Sequence, residues 1–303
     1  MRDEFPINFI PTGSLSLDLA LGTGGLPCGH ITEIYGPDSS GKTTLCLHLL
    51  AEAQELGVEC ALIDVDGSLD LGHAQRCGVK ANQLFIAATE NAEQALEITL
   101  TLAQSGIMLL IVVDSISALV SKAEQSIPYG EVRNVPNQDL ISRTLRKLRK
   151  PINRSGTAIV FTNHNEQTRA PVYHNLSTNP ARLSLKLHSA VRLGLNIKKL
   201  IQLGGIVIGQ RVLVDVRKNR FSPYHQPSEL DIMYNDGIEK SGDLLTFGER
   251  CGIIKKLGQH YIYQDYLLGN QESALRRFQE DTILRASIER SIRQRSLPVA
   301  IWK

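Results

Sequence analysis

Nine consecutive residues, Gly36-Pro37-Asp38-Ser39-Ser40-Gly41-Lys42-Thr43-Thr44, have the types and spacing that hold a polyphosphate. Glycines let successive backbone N–H groups turn inward, and a helix starting at the end of such a loop adds partial positive charge. Lys42 is placed to neutralise phosphate oxygens, and the Thr43 hydroxyl to hold Mg²⁺. The flanks agree. The β-branched run Ile31-Thr32-Glu33-Ile34-Tyr35 enters the loop as a strand, and Leu45, Leu49, Ala53 and Leu56 leave it at helical spacing. A strand–loop–helix setting is the context that this phosphate-binding motif requires.

Three further segments end in polar residues where an α/β sheet binds its ligands, beyond the carboxyl ends of its strands. The apolar run Ile107-Met108-Leu109-Leu110-Ile111-Val112-Val113 delivers Asp114, the usual place of a carboxylate that serves Mg²⁺. A lone aspartate there is otherwise a helix cap. Asp64 and Asp66 follow Cys60-Ala61-Leu62-Ile63, and alternation is expected to put both on one side. One would then polarise an attacking water while the other supports it, the alternative being solvated loop carboxylates. Asn163-His164 follows Ala158-Ile159-Val160-Phe161, where a side chain could sense a γ-phosphate.

These residues need a scaffold, and the chain supplies one. Strand-like and helix-like segments alternate from Ile31 to Phe161, with a helix expected from about Ala92 to Gln104 and another carrying Leu140, Ile141, Leu145 and Leu148 inward. Strands apolar on both faces belong in a parallel sheet covered on both sides. Beyond Ala190, further strands are expected to be antiparallel. Asn235-Asp236-Gly237 marks a boundary between a core over residues 1–238 and a small α+β domain over 239–303, with a hairpin through Gly258 and a helix bearing Leu284, Ile288 and Ile292. Two long polar segments, residues 124–139 and about 165–182, read as loops, and loops of that length are usually functional.

Composition narrows little more. The 303 residues are 42% hydrophobic, with five cysteines in no CxxC pair and a net charge of +2. No apolar run approaches the roughly 20 residues that span a bilayer, and residues 1–6 lack a signal-peptide core, so a cytoplasmic protein with no membrane association is expected. Near-neutral charge leaves nucleic-acid binding to local patches such as Arg133, Arg169, Tyr173 and Arg182. The basic helix face with Arg143, Arg146, Lys147, Arg149 and Lys150 reads equally as solvated surface.

Separated motifs agree in order with one family. Ile10-Pro-Thr-Gly-Ser-Leu-Ser-Leu-Asp18, Gly24-Gly-Leu-Pro27, the stretch from Glu33 to Leu45, Glu93-Gln-Ala-Leu-Glu-Ile98, Ile111-Val-Val-Asp-Ser115 and Lys218-Asn219 resemble bacterial RecA recombinases, from about Ile10 through the tail. The resemblance implies a RecA-type P-loop ATPase core, with ATP and Mg²⁺ bound by residues 36–44 and Asp114. It implies adenine contacts at Asp70 and His73, and a reach from Lys218 and Arg220 to ATP on the next protomer of a filament. Phosphate contacts of single-stranded DNA fall at Ser142 and Arg146, with Arg169 and Arg182 on the second DNA loop.

The chain departs from that family at several points. Asp66 stands in place of the catalytic glutamate, one methylene shorter, so ATP turnover is expected to be slow. His164 replaces the glutamine that senses the γ-phosphate, and an imidazole changes charge near neutral pH. Leu187 replaces an aromatic at the subunit contact. Residues 166–182 lack the family's glycines, Asn134 and Arg169 fall near its wedge positions, and its N-terminal helix has no counterpart. Lys42, Asp66 and His164 are thus the expected catalytic set. Two functions follow: a recombinase that binds single-stranded DNA as a homo-oligomer or filament, or an ATP-binding paralogue that assists a RecA-type partner in repair without strand exchange.

Overall fold

The computed structural model describes residues 8–89, 91–119, 137–164, 180–223 and 226–297. Its centre is a nine-stranded sheet. Five strands run parallel in the order Leu84–Ala88, Glu59–Asp64, Met108–Asp114, Ala158–His164 and Ile31–Gly36. Next comes Val191–Leu203, which pairs parallel with the loop-bearing strand, Thr32 opposite Val191 through Tyr35 opposite Gly194. Antiparallel Ile206–Asn219, Ser228–Met233 and Gly237–Ile238 complete the sheet. The expected antiparallel character thus begins one strand later than Val191.

Alternation along the central strands divides the core into two layers. Cys60, Leu62, Leu110, Val112, Ala158 and Val160 face one cluster, with Leu45 and Leu49 of the helix Lys42–Glu55. Ala61, Ile63, Ile111, Val113, Ile159 and Phe161 face the other, under the helices Ala92–Ser105 and Asn137–Ser155. Because every buried strand residue meets a helix on one side or the other, the sheet accepts continuous apolar runs.

A third cluster lies after the sheet. Leu244, Leu245, Ile254, Tyr261, Tyr263, Phe278, Ile288 and Ile292 pack together, joined by Leu15 from the first helix, Leu15–Leu21. Three helices, Ser241–Arg250, Gln271–Glu280 and Thr282–Ser296, surround a three-stranded antiparallel sheet there. The hairpin through Gly258 is present, and Tyr266–Gly269 adds a third strand. That strand is four residues long and follows a turn at Gln264, φ +53°, so it carries too little periodicity to be read. The helix Pro180–His188 likewise replaces the end of the expected second loop; Pro180 opens it, where a missing N–H costs nothing.

Candidate functional site

The phosphate loop stands at the carboxyl end of Ile31–Gly36, and its backbone leaves no room for larger residues at its two glycines. A Cβ on Gly36 would lie 2.5 Å from the Leu195 carbonyl oxygen, and one on Gly41 would lie 2.3 Å from Ile232 Cδ1 at φ +87°. Strand Ile206–Asn219 braces the loop from the side: Gln210 Nε2 donates to the Ser39 carbonyl at 2.6 Å. Lys42 Nζ donates to the carbonyls of Gly36 at 3.1 Å and Pro37 at 2.9 Å, folding the ammonium over the loop mouth. Burial lowers its pKa, against the pull of Asp38, Asp114 and Asp66. A buried cation with a water-poor shell is a strong partner for an incoming phosphate. Ser40 Oγ is buried without a hydrogen-bond partner, as a group awaiting a ligand would be.

The groups expected to serve the metal are brought together. Thr43 Oγ1 donates to Asp114 Oδ2 at 2.6 Å, and Thr162 Oγ1 donates to the other carboxylate oxygen. A hydroxyl and an anchored carboxylate are hard oxygen donors of the kind Mg²⁺ takes while keeping several waters. Donor chemistry and position both fit that ion.

Asp66 and His164 enclose the far side of a cleft of about 650 Å³, with Asp38, Lys42, Thr43, His73 and Asp114 also in its wall. Ser115 Oγ donates to Asp66 Oδ1 at 3.2 Å. Burial, then the nearby Asp114 carboxylate, raises the Asp66 pKa. His164 Nδ1 lies 2.5 Å from Asp38 Oδ1, and its Nε2 lies 4.0 Å from Asp66 Oδ2.

Asp64 lies in register with Asp114 but lines no part of the cleft that Asp66 enters. Its carboxylate accepts the amides of Ser68 at 3.3 Å and Leu69 at 3.2 Å, so it shapes the loop. The strand ends at Asp64, and Val65 and Asp66 both donate to the Asp114 carbonyl. Asn163 is also structural: it is buried and donates to Glu33 Oε1 at 3.1 Å, while Arg192 Nε donates to Glu33 Oε2.

The remaining candidates scatter. His73 lines the cleft, with Nε2 3.3 Å from Thr44 Oγ1. Asp70 caps the helix Leu71–Arg76 from the exposed side, accepting from Gly72 N. Lys218 and Arg220 line no part of their own chain's cleft. They reach the C-terminal carbonyls of Pro180–His188, Lys218 Nζ to Lys186 O at 2.9 Å and Arg220 to Leu187 O at 3.4 Å, beside an exposed Leu187. Ser142 Oγ pairs with Ser184 Oγ, and the exposed Arg146 donates to Ser142 O at 3.2 Å. Arg133, Asn134, Arg169, Tyr173 and Lys303 lie outside the described residues, as does the side chain of Arg182.

Sequence spacing reveals neither Gln210 nor Ile232, which touch the loop from over 160 residues away, nor the Asp38–His164 pair. Nor does spacing reveal Arg293, which is buried against Asp18.

A phosphate loop, a Thr–Asp pair and an Asp–His wall at the carboxyl edge of this sheet define a P-loop nucleotide-binding protein with a RecA-type core. The model of the RecA N-terminal domain matches residues 1–239. Protein RecA of Caldanaerobacter subterraneus is 40% identical over 289 residues, 95% of this chain and 84% of that protein. Protein RecA of Clostridium acetobutylicum is 41% identical over 300 residues, 98% and 86%, and that of Bacillus licheniformis 39% identical over 294, 97% and 84%. The chain belongs to the RecA family.

Proposed function

We propose that this chain is a RecA-like recombinase of homologous recombination and repair that grips ATP firmly and hydrolyses it slowly. The observation that carries the reading is the convergence of Lys42, Thr43, Asp114, Asp66 and His164 on one cleft in a chain of this family. Residues 36–44 would cradle the phosphates, and Thr43 and Asp114 would hold Mg²⁺, which supplies charge neutralisation at the phosphates when bound. His73, in the cleft wall, would meet the base, while Asp70 would act through the helix it caps. Lys218 and Arg220 line no part of their own chain's cleft, and are proposed to serve the nucleotide of another copy, in a filament or with a RecA-type partner. Ser142, Arg146, Arg169 and Arg182 are proposed to hold single-stranded DNA by its phosphates. Among the described residues, no helix is long and apolar enough to cross a membrane, and a cytoplasmic location suits work on chromosomal DNA. The core and the small lobe are proposed to divide near residue 238.

A second reading, an accessory ATP-binding paralogue without strand exchange, is favoured by the shortened carboxylate of Asp66 and by the glycine-free stretch 166–182. Strand exchange with ATP, Mg²⁺ and single-stranded DNA separates the two. Joint molecules accompanied by slow phosphate release support the recombinase. ATP binding with no shift of labelled DNA removes it.

A further inference from the structure

The pair Asp38–His164 changes which group can take a proton from an attacking water. That role holds only if the cleft hydrolyses ATP, as proposed above. A carboxylate only accepts hydrogen bonds, so in the neutral ring Asp38 Oδ1 at 2.5 Å assigns the hydrogen to Nδ1 and leaves a lone pair on Nε2. That lone pair faces Asp66 Oδ2 at 4.0 Å, beyond direct hydrogen bonding. Two acceptors at that spacing suit one water that donates a hydrogen to each, turning its own lone pairs outward. Ser115 occupies Asp66 Oδ1, so the Asp66 carboxylate presents Oδ2 to that water. The His164 backbone N–H donates to Ser117 Oγ at 3.2 Å, which fixes the strand end that carries the ring.

We propose that His164, oriented by Asp38, is the general base of ATP hydrolysis in this chain, while Asp66 holds the second hydrogen of the same water. The water oxygen bonds to the γ-phosphorus as the bond to the bridging β,γ-oxygen breaks, and that electron pair leaves on ADP. The water proton passes to Nε2, and the resulting imidazolium lies between the Asp38 and Asp66 carboxylates until it returns the proton to solvent. The products are ADP, inorganic phosphate and one proton. An amide at position 164, which the family resemblance places there, can orient a water but cannot take its proton. Aspartate at 66 is too short to do both jobs, and an Asp–His pair restores the missing base. The other charged groups facing the cleft are Lys42 from the loop helix, His73 from Leu71–Arg76 and Asp114 from its strand.

The test is steady-state phosphate release by the full chain on oligo(dT) between pH 5.5 and 8.5, with binding of a fluorescent ATP analogue measured for each variant. In the wild type, kcat rises with pH along one acid limb. His164→Gln lowers kcat about 10²-fold and abolishes that limb, with nucleotide affinity kept within about threefold. Asp38→Asn lowers kcat about tenfold, because the ring loses the acceptor that fixes its tautomer; Asp38→Glu restores it. If His164→Gln turns over at the wild-type rate with the same limb, the inference fails and the parent reading stands. If the wild-type chain binds no ATP, both fall together.

Discussion

Arg293 donates to the Asp18 carboxylate across 2.6 Å, joining the last helix to the first through two buried side chains. Arg293 also donates to Glu289 and to the Gly24 carbonyl, and Asp18 accepts from Thr12 N and Thr12 Oγ1. The arrangement is reciprocal. Asp243, from the small lobe, accepts from Ser14 Oγ at 3.2 Å and Ser16 N at 3.1 Å at the start of that same first helix. The lobe is thus tied to the core by one carboxylate from each side, over the apolar contact of Leu15.

Removing one partner of a buried pair leaves the other charge without compensation. Arg293→Ala is expected to cost about 3–5 kcal/mol in urea denaturation at pH 7.5. Burial raises the Asp18 pKa to about 6, against the lowering effect of Arg293. Between about pH 4 and 6 the folded protein therefore holds a proton that the unfolded chain has lost, and this group's contribution to stability falls as pH rises through that window. Without Arg293 the folded value climbs further, so the falling limb extends above pH 6. A deficit for Arg293→Ala that is no larger at pH 8 than at pH 5 would contradict the buried pairing.

His48 behaves in the opposite sense. It lies under Gly237–Ile238, and its Nε2 accepts the Ile238 N–H at 2.8 Å, an acceptor role that only a neutral ring can fill. Burial first, then Lys240 and His73, lowers its pKa to about 3. Folding therefore excludes a proton that the unfolded chain takes up below about pH 6.5, and this contribution is lost as pH falls. Between pH 7 and pH 5 the loss is about 2 kcal/mol, opposing the gain from Asp18. Imidazole resonances followed by NMR are expected to show His48 unchanged to pH 5; titration at a higher pH would refute the assignment.

These two pairs mark the limit of what a linear reading supplies. The phosphate loop, Asp114 and the parallel core were legible because each is written locally: glycines at fixed offsets, an apolar run ending in a carboxylate, a period of 3.6. Asp66 and His164 were legible through family resemblance. Asp64 is held by the amides of Ser68 and Leu69, loop bonds that no local period announces. Arg293 sits in a basic helix, and nothing local shows that Asp18, 275 residues away, lies beneath it. Asp38 is expected within the phosphate loop, but not its pairing with His164, 126 residues distant.

Thr43 and Asp114 are arranged for a cation, and their pairing predicts a selective defect. Thr43→Val keeps the shape of the side chain but removes the oxygen that donates to Asp114. ATP binding in excess EDTA should be nearly unchanged, whereas the strengthening of binding by added Mg²⁺ should shrink about tenfold or more. Titration of Mg²⁺ against a fluorescent ATP analogue reads this directly. Equal loss with and without Mg²⁺ would show that Thr43 only packs.

Gln210 offers a test of whether the phosphate loop is built by its neighbours. Its amide is buried, comes from the strand Ile206–Asn219, and holds the Ser39 carbonyl at 2.6 Å. Ser39 itself sits at φ +57°, a left-handed conformation that a serine rarely keeps without support. Gln210→Ala removes that support without touching any atom expected to meet the phosphates. A neutral hydrogen bond of this kind contributes about 1 kcal/mol. If its role is to hold the loop in shape, the same energy appears as a five- to tenfold weaker ATP affinity, with little change in thermal stability. Gln210→Glu should weaken binding further, because a carboxylate cannot donate to a carbonyl and adds negative charge beside the polyphosphate. Calorimetric titration of the three proteins with a non-hydrolysable ATP analogue gives the order. If Gln210→Ala binds as tightly as the wild type, the loop holds its own shape, and the left-handed turn at Ser39 needs no brace.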